Sequence, residues 1–259
     1  MPASHAPPPL PLSGVVIALN EADRIGRCFA SLAPVCADLL LVDSGSTDAT
    51  AEIARSHGAR VRQQEWLGFA AQKTLATSLA EQPWVLLLDA DEWLSDGADA
   101  ALRELFASGK LEDCDVWCIR RRTHFLGKPL RFGGWSREWV HRLSRPDMRY
   151  LPMLVHEGPD LRDKRVGFSE VWIEHDTARS LDEYRRKLAH YAELWATQRA
   201  QAGKRAGMLS PFTHAAAHWL KHYVLQGGFL DGATGWRFHG CHTRYVFDKY
   251  ARLRRANAA

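Results

Sequence analysis

Three observations predict an α/β protein built on a doubly wound, mostly parallel sheet. Short apolar runs alternate with helically spaced apolar residues through the first hundred positions. The connections between them are brief. Polar residues stand where the apolar runs stop, which is where ligands meet such sheets.

Gly14-Val15-Val16-Ile17-Ala18-Leu19 is a continuous apolar run, as a strand covered on both faces requires. Asn20-Glu21-Ala22-Asp23 breaks it and opens a helical pattern with Ile25, Cys28, Phe29 and Leu32. Leu39–Val42 is the second strand, and Asp43-Ser44-Gly45-Ser46-Thr47-Asp48 is a turn that also supplies N-cap residues. The next helix runs to about His57, with Gly58 placed to stop it. Ala59–Gln63 is a short third strand, Phe69–Leu79 a helix, and Trp84–Leu88 the fourth strand. That strand ends in Asp89-Ala90-Asp91-Glu92. Packed carboxylates repel one another and lose hydration, so a shared cation is the simplest expectation. In extended chain, residues two apart point the same way, which aims Asp89 and Asp91 at one ligand. Hard oxygen donors suit Mg²⁺ or Mn²⁺, which in turn would hold a diphosphate.

Rival nucleotide sites are disfavoured by pattern. No G-x-G-x-x-G follows the first strand, and no G-x-x-x-x-G-K-[ST] is present. The acidic stretch also fails the calcium-hand template, because Trp93 stands where an oxygen ligand belongs. The 259 residues suffice for one large domain, or one with an appendage, and their 46% hydrophobic and 25% charged content is that of an ordinary globular protein. No apolar run reaches transmembrane length. Residues 1–11 read as a disordered lead-in, not a signal peptide. Five irregularly spaced cysteines argue against a disulfide framework and for a reducing cytoplasm.

These motifs are similar to those of family 2 glycosyltransferases, whose nucleotide-diphospho-sugar fold is called GT-A. The resemblance rests on Val15–Glu21 (V-V-I-A-L-N-E), Leu41–Thr50 (L-V-D-S-G-S-T-D-A-T), Gly68–Leu75 (G-F-A-A-Q-K-T-L) and Leu87–Glu92 (L-L-D-A-D-E). It continues through Phe132-Gly133-Gly134-Trp135, Val155-His156-Glu157 and Glu174-His175-Asp176. Ser180–Tyr184 and Tyr223–Gly232 resemble the bacterial branch that adds β-linked glucose to the lipopolysaccharide inner core. Asp176 departs from that branch, which carries an aromatic after the histidine.

The resemblance implies a metal-dependent, inverting hexosyltransferase with a GT-A domain over 12–177 and a basic helical extension over 178–259. It implies that Asp43 binds the uracil edge, with Asn20 and Glu21 nearby, and that Lys73 approaches the nucleotide or its phosphates. Asp89 would contact the ribose or support the metal, and Asp91 would ligate it together with His175. Gly133 and Gly134 match the loop that lets backbone approach the donor sugar, and Glu157 matches the base. Plainer assignments stand beside these: Glu157 as a surface-loop residue, His175 as a satisfied buried histidine, Lys73 as an exposed helix lysine.

Charge is unevenly distributed. Residues 1–177 hold 20 Lys/Arg and 25 Asp/Glu, a net −5, whereas 178–259 hold 14 and 5, a net +9. The tail therefore suits an anionic surface (membrane, nucleic acid or phosphorylated glycan) or, equally, a solvated basic helix face. His214, His218 and His222 recur every four residues beside an apolar stripe of Phe212, Ala215, Ala216, Trp219, Leu220, Tyr223 and Val224. That spacing predicts an amphipathic helix with histidines at its border, rather than a metal site. Leu181–Trp195 is a second amphipathic helix. Arg120-Arg121-Arg122, Arg131, Phe132, Trp135, Arg137 and Trp139 offer surfaces for a sugar or phosphate, and no nucleic-acid motif accompanies them. The expected partners are a UDP-sugar and a lipid-anchored saccharide, with the protein cytoplasmic and peripheral at the inner membrane. Alternatives are a polyprenyl-phosphate or polyprenyl-linked acceptor, and a non-catalytic sugar-nucleotide or glycan-binding module.

Overall fold

A computed structural model describes residues 7–135, 138–151 and 158–257. The four expected strands form: β1 (Leu10–Ala18), β2 (Cys36–Asp43), β3 (Arg60–Gln63) and β4 (Trp84–Asp89). Between them lie α1 (Ile25–Leu32), α2 (Thr50–Ser56) and α3 (Phe69–Ser78). β1 starts inside the expected lead-in, because Leu10 pairs with Cys36 and donates its N–H to Val35. β5 (Glu92–Leu94) and α4 (Ala98–Ala107) follow, then β6 (Val116–Phe125), β7 (Lys128–Pro129), β8 (Glu138–Ser144), β9 (Tyr150–Leu151), β10 (Gly158–Pro159) and β11 (Val166–Asp176).

The main sheet has the order β3-β2-β1-β4-β8-β6-β11-β5, with β7 paired to the end of β6. β3, β2, β1 and β4 are parallel; β8 pairs antiparallel to β4, and β5 antiparallel to β11. The chain steps outward from β1 to β3 and then returns to the other side of β1 with β4. This reversal is the switch point at which a doubly wound sheet opens a crevice beyond its strand ends. The register makes the consequence concrete: Ala18 pairs with Asp43 on one side, and Ile17 with Asp89 on the other.

Period-two alternation fills both faces of this sheet. Val16, Leu41 and Leu88 pack with Phe29 and Ile25, while Val15, Ile17, Val42 and Leu87 pack with Ala70 and Ala76. Each face has its own cluster, so the strands carry apolar residues at consecutive positions.

The chain divides into two compact units. Among the described residues, the first comprises 7–121, 139–151 and 158–175; the second comprises 122–135, 138 and 176–257. The second, largely helical unit includes the mid-chain segment 122–135 beside the C-terminal helices. Its helices are α5 (Leu181–Gln201), α6 (Ser210–Trp219), continued by a wide turn over Leu220–Leu225, and α7 (Gly232–Ala256). Ser180 caps α5 by accepting the Glu183 N–H. Phe125, Leu130, Tyr184, Leu188 and Phe238 form this unit's core.

Candidate functional site

The loops after β1 and β2 are sewn together by short polar side chains. Asn20 adopts φ 56°, a conformation that Asn tolerates better than most residues. Its Oδ1 accepts from the Thr47 N–H at 2.9 Å, and its own N–H donates to Ser46 Oγ at 2.9 Å. The Glu21 N–H donates to Thr50 Oγ1, and that of Ala22 to Asp48. Asp43 is fully buried and accepts from Ser46 Oγ (2.5 Å), Ser46 N–H (3.0 Å) and Gly45 N–H (3.3 Å). Its carboxylate therefore holds the turn that follows β2. Asn20, Glu21 and Asp43 do converge at the strand ends, in an arrangement stabilised by their own loops.

The acidic stretch does not behave as an extended segment with side chains aligned. A turn at Ala90-Asp91 interrupts it, and the carboxylates meet different partners. Asp89 contacts Lys73 Nζ at 3.1 Å and Arg142 Nη2 at 2.5 Å. Asp91 contacts His175 Nε2 at 3.4 Å and Arg24 Nη1 at 3.6 Å. Glu92, completely buried in β5, accepts from Arg142 at 2.7 Å, Arg121 at 3.2 Å and the Asp89 N–H at 3.1 Å. The three carboxylates thus face Arg24, Lys73, Arg121 and Arg142, and protein cations offset the repulsion that sequence reasoning assigned to a metal. Asp89 and Asp91 keep 35% and 17% of their side chains exposed, so these two, not Glu92, are open to a ligand.

Burial alone would raise the Asp89 pKa, but the charges of Arg142 and Lys73 more than reverse this and hold the carboxyl well below its usual range. Burial would lower the Arg142 pKa, and Asp89 and Glu92 reverse that too. Cys28, whose Sγ lies 3.9 Å from the Asp89 carbonyl oxygen, has its thiol pKa raised by burial and by Glu92, Asp91 and Asp89, which keeps it protonated and inert. Trp93 lies beneath the Arg27 guanidinium, 3.4 Å from ring centroid to Cζ.

His175 reaches this cluster because β11 pairs with β5, setting it opposite Glu92. Its Nδ1 is buried with no hydrogen-bond partner among the described residues. Arg24, Arg121 and Arg142 were not singled out for this cluster in the sequence. Arg142 carried a readable signal, a charge inside the strand run Trp139–Ser144, since a buried arginine requires carboxylates. Arg24, one turn beyond Glu21, carried none.

Gly133 and Gly134 belong to the second unit, where packing accounts for both. Their φ values are +79° and +93°. A Cβ on Gly133 would strike the His239 ring, and one on Gly134 would lie 2.5 Å from Gln226 Oε1. The Gly133 N–H donates to the Gln226 carbonyl at 3.0 Å, and its carbonyl accepts from His222 Nδ1 at 3.0 Å. Asp231 accepts the N–H groups of Arg131 and Phe132 at 3.1–3.2 Å. The Tyr223–Gly232 motif therefore clasps the glycine loop. Trp135 packs among His222, His242, His239 and His218, with centroids 4.5, 4.8, 5.5 and 5.8 Å away. His218 and His222 are half-buried, at the border expected, and pack against Trp135, while Phe212, Leu220 and Val224 of the apolar stripe are exposed. Among the described residues no group of three metal-ligating side chains is arranged to hold an ion. Glu157 and Arg137 lie outside the described residues.

Comparisons with known proteins agree with this architecture. The chain is 30% identical over 270 residues to the lipopolysaccharide core biosynthesis glycosyltransferase LpsC of Rhizobium meliloti, covering 96% of this chain and 97% of that one. An uncharacterized glycosyltransferase of Rickettsia felis is 41% identical over 97 residues, 38% of this chain and 34% of its own length. The crystal structure of S. aureus TarS 1-349 in complex with UDP-GlcNAc superposes with a TM-score of 0.51 at 14% identity, covering 95% of this chain and 91% of that one. That likeness identifies the fold as GT-A, as expected. Residues 13–169 match the Glycosyl transferase family 2 model, and with the near-full-length match to LpsC this establishes that the chain belongs to glycosyl transferase family 2.

Proposed function

We propose that this chain transfers a hexosyl group, glucose by preference, from a UDP-sugar to a sugar of a lipid-anchored lipopolysaccharide inner core, with inversion at the anomeric carbon. The observation that carries this reading is the match to LpsC, collinear over nearly the whole of both chains. A uridine donor is also what TarS holds in its crystal.

Within this reading, Asn20, Glu21 and Asp43 receive the uridine end of the donor, and Lys73 and Asp89 lie beside its ribose and phosphates. Asp91 and His175 are the residues to hold Mg²⁺ or Mn²⁺. Asp91 Oδ2 and His175 Nε2 are 3.4 Å apart, and two protein ligands suffice where substrate phosphates supply others. When bound, the ion supplies positive charge opposite the departing diphosphate. Lys73 and Arg142 keep Asp89 ionised. Glu157 takes the proton of the acceptor hydroxyl as its oxygen bonds to the anomeric carbon and the bond to UDP breaks.

The test is UDP release from UDP-glucose with Mn²⁺ or Mg²⁺, with and without EDTA, and with and without inner-core acceptor. Glu157→Gln should slow acceptor-dependent turnover by about 10²–10⁴-fold, and Asp91→Ala should remove the response to metal. Wild-type behaviour of Glu157→Gln would favour a non-catalytic binding module. An assay with polyprenyl-linked acceptors separates the other transferase reading. Absence of UDP binding would sink the nucleotide-sugar assignment.

A further inference from the structure

Among the described residues, nine of the seventeen exposed large apolar side chains fall within positions 208–236, each 44–74% exposed. Leu209, Phe212, Leu220 and Val224 recur at near-helical spacing along α6 and its wide-turn continuation, forming one stripe. Leu225, Leu230 and Trp236 extend it. The aromatic rings make the patch continuous: Trp219 lies 4.1 Å from Tyr223 and 5.1 Å from Trp236 between centroids, and Tyr223 lies 6.3 Å from Phe229. These elements already bury a different face, through Pro211 and Ala215 on α6 and Phe238 and Cys241 on α7. The exposed stripe is a second apolar face, of the kind that marks a docking surface when polar residues rim it.

The rim is cationic. Lys204, Arg205, Lys221 and Arg237 are all exposed. The only carboxylate from 200 to 240 is Asp231, which is occupied by the Arg131 and Phe132 N–H groups. Trp236 also walls a cavity of about 430 Å³ that brings Arg185 and Arg237 beside Leu181 and Leu188, with Arg244 there paired to Asp248 at 3.0 Å. Self-association through a twofold axis would set this cationic rim against its own copy. An anionic lipid surface satisfies both features, since acyl chains take the apolar stripe and headgroups take the lysines and arginines. No described helix is long and apolar enough to cross a membrane, so this mode lies on the surface.

We propose that the Met208–Trp236 ridge docks on the surface of an anionic bilayer. This deepens the proposed reaction by naming how the enzyme meets a lipid-anchored acceptor, and it rests on that reading for its purpose alone. The test is flotation of the full chain with phosphatidylcholine vesicles, with and without phosphatidylglycerol, at about 0.05 M and about 0.5 M salt. Binding to the anionic vesicles, weakened by salt, is expected. Lys221→Gln with Arg237→Gln should lower the partition by about fivefold per charge, and Leu225→Asp with Leu230→Asp by at least about tenfold. All four positions are exposed, and circular dichroism melts and UDP binding should match the parent. Equal binding to neutral vesicles, no binding, or no effect of the aspartate pair would overturn the proposal. So would a dimer dispersed by that pair with vesicle binding unchanged, which would assign the ridge to a second copy. UDP binding by a chain that ignores vesicles would leave the transferase reading standing; vesicle binding without UDP binding would do the reverse.

Discussion

The charged cluster of the first unit and the histidine cluster of the second solve the same problem in opposite ways. Both bury several polar side chains. At the strand ends, Asp89 remains ionised because Arg142 and Lys73 stand against it, while Arg24 faces Asp91 and Arg121 and Arg142 face Glu92. Around Trp135, His218, His239 and His242 stay neutral instead. Burial, reinforced by neighbouring histidines, lowers their pKa values to about 4, 4 and 3. Charges held in mutual register give a pre-set electrostatic wall, suited to a site that handles phosphates. Neutral rings give a packed platform for a glycine loop, at the expense of leaving both nitrogens of His239 without partners among the described residues.

Removing one cation should give the largest effect. Arg142→Met leaves Asp89 with Lys73 alone and buried Glu92 with Arg121 alone, and urea unfolding should register a loss of about 3–5 kcal/mol. A loss below 1 kcal/mol would mean that Lys73 and Arg121 carry the cluster unaided. The matching perturbation in the second unit is Gly133→Ala. Its Cβ meets the His239 ring at a backbone angle unfavourable to L side chains, for about 2–4 kcal/mol. Parent-like stability there would show that the ring swings aside.

Acid separates the two clusters by sign and window. A buried histidine with a lowered pKa has its full stability above the unfolded value near 6.5 and loses it as pH falls toward the folded value. Each of the three should therefore contribute up to about 1.4 kcal/mol per pH unit between about 6.5 and 4. The charged and titratable groups about them include His222, Lys221, Lys249 and Asp231, with Tyr184 bonded to His242 at 2.6 Å. Asp89, with its pKa lowered, keeps its contribution above about 4 and loses it only below. Tryptophan fluorescence across pH 7 to 3 should show the histidine-dependent loss first; a single transition below pH 4 would erase the distinction. Smallest is Tyr184→Phe, which removes a partner of His242 Nε2 and should lower stability by about 1 kcal/mol in thermal melts.

The two clusters also differ in how far they could be read from sequence. Gly14–Leu19 and Trp84–Leu88 announced buried strands, and the turn Asp43–Asp48 announced its own caps, because strand burial and turn chemistry are encoded within a few residues. The acidic stretch was equally visible, but its partners come from positions 24, 73, 121, 142 and 175, and no local pattern reports them. In the tail, helical spacing predicted the helices and the histidines at their border, but not that part of the apolar stripe stays exposed. His218 and His222 found a glycine loop some 90 residues upstream in sequence, His222 Nδ1 meeting Gly133 O, while Phe212 and Leu220 were left outward.

By itself, the sequence determined the alternation of strands and helices, the family and the positions of the polar strand ends, since each depends on neighbours along the chain. Only the tertiary structure decided which cations neutralise Asp89, Asp91 and Glu92, that Asp43 braces its own turn, and which face of the tail stays exposed. Those outcomes depend on long-range register, β1 between β2 and β4 and β5 against β11, which brings charges together across gaps that periodicity does not span.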